Sequence, residues 1–318
     1  PSSRGAYRKA FKEAGTFRTI NDLLTQPIDW SSCGDFDCTK LTVPMDWSNP
    51  GGKTIEISVI RHMAKDPIGN LVVNPGGPGA SGVDFVRDNL EGIGSTTMRE
   101  RYNIIGFDPR GTGASSPVKC LEPKGLDEFL YGVSPYESGT AEDLAWSRAS
   151  IKKFVDGCAK NTGELLGYLD TQSAAKDMDV LRSYLLEDKL DYLGFSYGTM
   201  LGATYATLFP ERVGRFVLDG AENPTVSDAD KSFNQLKGFE LALHNYAADC
   251  VKKADCPLDG PTDNALKQIK AWLLNVEDNP VPTSSGRELN IAGAITALIL
   301  AMYSEDYWQY LTQGLNEV

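Results

Sequence analysis

Histidine is scarce: His62 and His244 are the only two in 318 residues. That excludes histidine-rich metal centres and leaves few choices for a base working near neutral pH. Positive charge is also short, with 31 Lys plus Arg against 43 Asp plus Glu and a formal net charge of −12. A surface of that sign repels phosphate backbones and anionic lipid, so neither nucleic acid nor a membrane surface is expected as a partner. Long apolar runs are missing too. The longest, Ile291 to Met302, carries Thr296 and falls well short of the roughly 20 residues that cross a bilayer. The six cysteines include no C-x-x-C and no Cys/His spacing suited to zinc.

What is present is a globular balance, 41% hydrophobic and 23% charged, which rules out disorder and suits one large domain or two ordinary ones. The cysteines fall as Cys33/Cys38, Cys120/Cys158 and Cys250/Cys256. An even number with two close pairs reads as three disulfides in an exported, oxidised protein, although spacing alone does not fix which pairs form. The first residues carry Arg4, Arg8 and Lys9 but no apolar signal segment. An export signal is therefore expected to have been removed or to lie outside the sequence.

β-Branched apolar runs alternate with helix-like stretches, the pattern of a largely parallel sheet covered on both faces. The expected strands are Thr54 to Arg61, Leu71 to Asn74, Asn103 to Phe107, Leu190 to Phe195 and Arg215 to Leu218. Helices are expected over Thr171 to Glu187 and Tyr197 to Phe209. Thr171 is read as the N-cap of the first, and Ala174, Met178, Leu181 and Leu185 form a stripe facing the sheet. From Asn223 on, amphipathic helices follow one another over Lys231 to Cys250, Asn264 to Val276 and Asn290 to Tyr303, without a clear strand.

The strongest chemical signal is Gly194-Phe195-Ser196-Tyr197-Gly198, a G-x-S-x-G between an apolar strand and a helix. A serine on so sharp a turn is held with its hydroxyl above the sheet, and the flanking glycines remove side chains that would collide there. Ser196 is the candidate nucleophile. The second signal, Asn74-Pro75-Gly76-Gly77-Pro78-Gly79-Ala80-Ser81-Gly82, follows the strand ending at Val73. A glycine-rich turn there brings backbone N–H groups to a developing oxyanion, and the amides of Gly77 and Tyr197 are the expected donors. A phosphate-binding loop is the rival, but the run lacks both the G-K-[ST] ending and the G-x-G-x-x-G spacing. A third loop, Gly106 to Ser115, holds Asp108 and Arg110, expected to form a structural charge pair.

In this order, and with Phe209-Pro210-Glu211-Arg212-Val213 leading into Val217-Leu218-Asp219-Gly220, the segments resemble α/β-hydrolase peptidases of the group that includes proline iminopeptidase and the secreted tripeptidyl aminopeptidases. The glycine loop and the Ser-Tyr-Gly-Thr elbow are most similar to the tripeptidyl aminopeptidase branch. The resemblance runs from about Cys33 to Pro224 and continues more weakly beyond. It implies an α/β-hydrolase core over 1–222, a helical cap over 223–318, and serine acyl transfer that releases short peptides, commonly tripeptides, from a free N-terminus. It implies no metal or cofactor, and acidic cap residues that hold the substrate ammonium.

In that fold the acid and histidine follow the serine in chain order. His62 precedes Ser196 and is read as structural. His244 sits in a cap helix and, with Asp219 as its acid, is only a substitute. The family acid and histidine, with two core strands, are therefore expected beyond Val318, on a longer chain or on a separate C-terminal fragment. Glu222 is a candidate for the substrate ammonium, against a plain solvated glutamate. Trp272, Tyr303 and Trp308 line the cleft or fill the cap core. Two other readings stay open: an esterase or other acyl hydrolase on the same scaffold, and a binding protein that lacks a working triad.

Overall fold

A computed structural model describes residues 19–284 and 286–317; Arg4, Arg8, Lys9, Ser285 and Val318 lie outside the described residues. The chain forms two compact units, one comprising the described residues up to Cys120 with Gly157–Pro224, the other Leu121–Asp156 with the described residues from Thr225 onward. The division differs from a core over 1–222 followed by a cap, because residues 121–156 group with the later helices.

The first unit is built on seven strands: β1 (Ser31–Cys33), β2 (Phe36–Pro44), β3 (Thr54–His62), β4 (Gly69–Asn74), β5 (Tyr102–Phe107), β6 (Leu190–Phe195) and β7 (Val213–Asp219). Their order is β1-β2-β3-β5-β4-β6-β7. The β1–β2, β2–β3 and β3–β5 pairs are antiparallel, whereas β5, β4, β6 and β7 run parallel. Val72, Val73, Ile104 and Ile105 are all fully buried, as central parallel strands covered on both faces require. One face packs Val72 and Ile105 against the helices Thr171–Tyr184 and Tyr197–Leu208. The other packs Val73 and Ile104 against Val83 and Val86 of the helix Gly82–Asn89. β4 pairs with β5 on one side and β6 on the other, so the strand order reverses at β4. Ligand crevices in open α/β sheets form at the carboxyl ends of strands at such a reversal.

Two local expectations are corrected. Asp170, not Thr171, caps the helix Thr171–Tyr184, its carboxylate accepting the Ser173 N–H at 2.8 Å. Thr171 is instead free to share a 2.8 Å hydrogen bond with the Tyr197 hydroxyl. Nor do Asp108 and Arg110 pair, because they serve opposite faces of the sheet. Asp108 accepts from Ser81 Oγ (2.6 Å), the Val83 N–H (3.1 Å) and the Ala114 N–H (2.8 Å). Arg110 makes a bidentate pair with Asp177 on the helix Thr171–Tyr184, both bonds 2.7 Å, and donates to the carbonyls of Pro44, Met45 and Tyr168. Burial raises the Asp177 pKa despite those Arg110 bonds.

The second unit contains the helices Pro123–Tyr131, Asp228–Cys250, Thr262–Asp278, Ile291–Ala301 and Trp308–Glu317, most of Ala141–Asn161, and a two-residue ribbon of β8 (Val281–Pro282) with β9 (Glu288–Leu289). Tyr246, Ala247, Ala265, Ile269 and Ala301 form its core, with Trp308 packed on it. Disulfides join Cys33–Cys38, Cys120–Cys158 and Cys250–Cys256. No described helix is long and apolar enough to cross a membrane.

Candidate active site

Ser196 stands between the last residue of β6 and the first residue of the helix Tyr197–Leu208, with φ 52° and ψ −124°. A non-glycine residue there is strained, and the surroundings must hold it. They do so from three directions. The Ser196 N–H donates to the Asp219 carbonyl at the end of β7, at 2.9 Å. The Ser196 carbonyl accepts from both the N–H (2.8 Å) and the hydroxyl (2.6 Å) of Thr199. Beneath the turn, the buried Tyr192 hydroxyl donates to the Gly198 carbonyl at 2.8 Å. Burial, with a smaller contribution from Tyr197, pushes the Tyr192 phenol far above its ordinary pKa, so it remains a neutral donor.

The elbow glycines are needed sterically. A methyl group on Gly194 would stand 2.5 Å from the Gly198 carbonyl oxygen, and one on Gly198 would stand 2.8 Å from the Asn74 carbonyl oxygen. The glycine loop bends through Gly76, Gly77 and Gly79, whose φ values of 95°, 107° and 101° suit only glycine. Ala80 N–H closes the loop onto the Gly76 carbonyl at 3.3 Å. Among the described residues, neither the Gly77 nor the Tyr197 amide donates a hydrogen bond. The Tyr197 amide directly follows the strained serine, and the loop that carries Gly77 reaches the elbow at Gly76, whose added methyl group would stand 3.0 Å from the Ser196 β-carbon.

Asp219 adjoins the elbow through its main chain, and its side chain is exposed. Glu222 N–H donates to Thr199 Oγ1 at 3.0 Å, tethering its backbone to the elbow with the side chain half-buried. Sequence reading gave Thr199 no role; a hydroxyl three residues past the nucleophile, able to bond back to the preceding turn, was the available signal. His62 pairs with Ile104, which is level with Leu71 and Asp191, so it lies about 16 Å of strand below Ser196. There it packs edge-on against Phe36, as a structural residue would. His244 is exposed on the helix Asp228–Cys250, in the second unit. Trp308 packs edge-on against Tyr246, Tyr303 edge-on against Phe239, and Trp272 lines an apolar cavity of about 450 Å³ with Leu300 and Leu311. Among the described residues, the Ser196 hydroxyl has no side-chain partner.

A sequence profile of the alpha/beta hydrolase fold matches residues 69–266, from β4 through the elbow into the second unit. The chain belongs to the α/β-hydrolase family. Within it, the chain is 36% identical over 324 aligned residues to the serine protease Hip1 of Mycobacterium tuberculosis, covering 96% of this chain and 62% of that protein. It is 36% identical over 320 residues to carboxylesterase B of M. tuberculosis, covering 96% of this chain and 61% of that protein. It is 39% identical over 213 residues to the tripeptidyl aminopeptidase of Streptomyces lividans, covering 62% of this chain and 39% of that protein. The chain thus spans less than two thirds of the length of these curated relatives.

Proposed function

We propose that the protein is a serine exopeptidase acting outside the reducing cytoplasm, releasing short peptides, tripeptides foremost, from free N-termini. The observation that carries this reading is the pairing of a strained Ser196 with the uncommitted Gly77 and Tyr197 amides. Ser196 Oγ attacks the scissile carbonyl carbon, and the carbonyl π electrons move onto oxygen, which the two N–H groups stabilise. The Oγ proton passes to a base and from it to the departing amine. Water then repeats the sequence on the acyl-enzyme and frees the peptide. Three disulfides support an oxidising location.

The base and its orienting acid are proposed to come from polypeptide outside residues 1–318, continuous with it or as a separate fragment. The greater length of the relatives supports this, as does the outer edge of β7. Val217 there is 58% exposed and Leu218 37% exposed, apolar surface on an unpaired edge that a further strand would cover. Glu222, tethered beside the elbow, is the proposed partner of the substrate ammonium.

An esterase is the second reading, favoured by the equal identity to a carboxylesterase. A tripeptide anilide compared with its N-acetylated form separates the two. A peptidase that binds the free amine loses most of its kcat/KM when the amine is blocked, whereas equal rates on both compounds favour the esterase.

A further inference from the structure

Asn74 ends β4 and begins the glycine loop. Its side chain is fully buried, an uncommon place for a carboxamide. Oδ1 accepts the Gly76 N–H at 3.0 Å, which settles which end of the group is oxygen. The other end, Nδ2, is buried without a hydrogen-bond partner. Across the sheet Asn74 pairs in register with Gly194 of β6. The Gly198 α-carbon is packed so tightly here that a methyl group on it would stand 2.9 Å from Asn74 Oδ1. One side chain therefore touches both the loop that carries Gly77 and the turn that carries Tyr197.

We infer that Asn74 is a positioning residue for acyl transfer, fixing the spacing of the two oxyanion donors by anchoring the loop to the elbow. The inference rests on the reading of Ser196 as nucleophile. Leaving a buried donor unpaired is unfavourable, so stability alone does not select a carboxamide at this position. An aliphatic side chain would strand the Gly76 N–H and release the loop, and small misplacements of a reacting group are costly. Aspartate would keep the acceptor but add negative charge beside the site where the transition state accumulates it. A neutral amide anchors through its oxygen and adds no charge.

The test uses the complete protein, including the polypeptide outside residues 1–318 proposed to supply the base, with Asn74→Ala, Asn74→Asp and Ser196→Ala beside wild type. It follows the rate of covalent labelling by a fluorophosphonate, in which the Ser196 Oγ–P bond forms, fluoride leaves and the Oγ proton goes to the base. It also follows kcat and KM on an unblocked tripeptide anilide, and thermal melting. Asn74→Ala is expected to slow labelling and lower kcat roughly 10- to 100-fold, less than deleting a donor outright, with KM little changed. Asn74→Asp is expected to be slow at neutral pH, its rate relative to wild type rising as pH falls and the added carboxylate is protonated. The rates are taken per folded molecule, with the folded fraction followed at each pH, because a purely structural role would change that fraction and leave the rate of the folded protein unchanged. Folded variants that label and turn over at wild-type rates overturn the assignment, as does a loss that merely follows the unfolded fraction. If Asn74→Ala does not fold, the pH profile of Asn74→Asp decides. Wild type labelled on Ser196 with both variants unaffected removes Asn74 alone. Wild type not labelled on Ser196 removes the nucleophile reading and the Asn74 assignment together.

Discussion

The α-carbon of Gly76 is wedged against Ser196. A methyl group placed on it would stand 3.0 Å from the Ser196 β-carbon, 3.2 Å from the Tyr197 amide nitrogen and 2.5 Å from the Phe195 carbonyl oxygen. A side chain at Gly76 would thus crowd the Tyr197 amide, the proposed oxyanion donor.

Gly76→Ala is therefore expected to lower kcat/KM by about 10²-fold or more, the effect of losing an oxyanion donor. Gly79→Ala is the control. Its φ of 101° makes alanine similarly strained, yet nothing lies within 4 Å of the added methyl. It should lose some stability and much less activity, as melting curves and steady-state kinetics on the same preparations will show.

Ser196 carries strain at φ 52° that glycine would not. Ser196→Gly is expected to abolish turnover while raising stability by about 1 kcal/mol. Ser196→Ala keeps the β-carbon and hence the strain, so it should be inactive at nearly wild-type stability. Urea unfolding of the three proteins checks the order.

The Arg110–Asp177 pair is almost completely buried, and Trp47 Nε1 also donates to Asp177 at 3.0 Å. Asp177→Asn leaves a buried guanidinium without its counter-charge and should cost about 3–5 kcal/mol. Because the two groups share one network, the losses in Arg110→Met and Asp177→Asn should not add in the double variant. A double-mutant cycle by chemical denaturation measures the coupling.

Cys120 and Cys158 flank the stretch Leu121–Asp156 that leaves the first unit and returns to it. Their disulfide closes a sequence separation of 38, against 5 and 6 for the other two. On loop-closure entropy, replacing Cys120 and Cys158 by serine should cost about 4 kcal/mol, and replacing either short pair about 2 kcal/mol. Unfolding midpoints under non-reducing conditions test the ranking.

What could be read from sequence was contiguous and local. Leu190–Phe195 is buried on both faces, so it shows as an apolar run, and the elbow and glycine loop are each a single uninterrupted motif. The β1–β2 hairpin escaped notice because Asp37, Thr39, Lys40 and Thr42 interrupt its apolar pattern. Asp170 and Thr171 are adjacent residues both able to cap, and only tertiary contact with Tyr197 separates their roles. The partner of Arg110 lies 67 residues away, and the group that Asn74 leaves unpaired is visible only once β4 and β6 are side by side.

If Ser196 is the nucleophile, turnover passes through a covalent acyl-enzyme on its Oγ. Acid-quenching the protein early in turnover of an unblocked tripeptide ester, then mapping the digest by mass, tests it directly. The peptide containing Ser196 should gain the mass of one tripeptidyl group, absent in Ser196→Ala. Turnover with no covalent species, retained by Ser196→Ala, would contradict it.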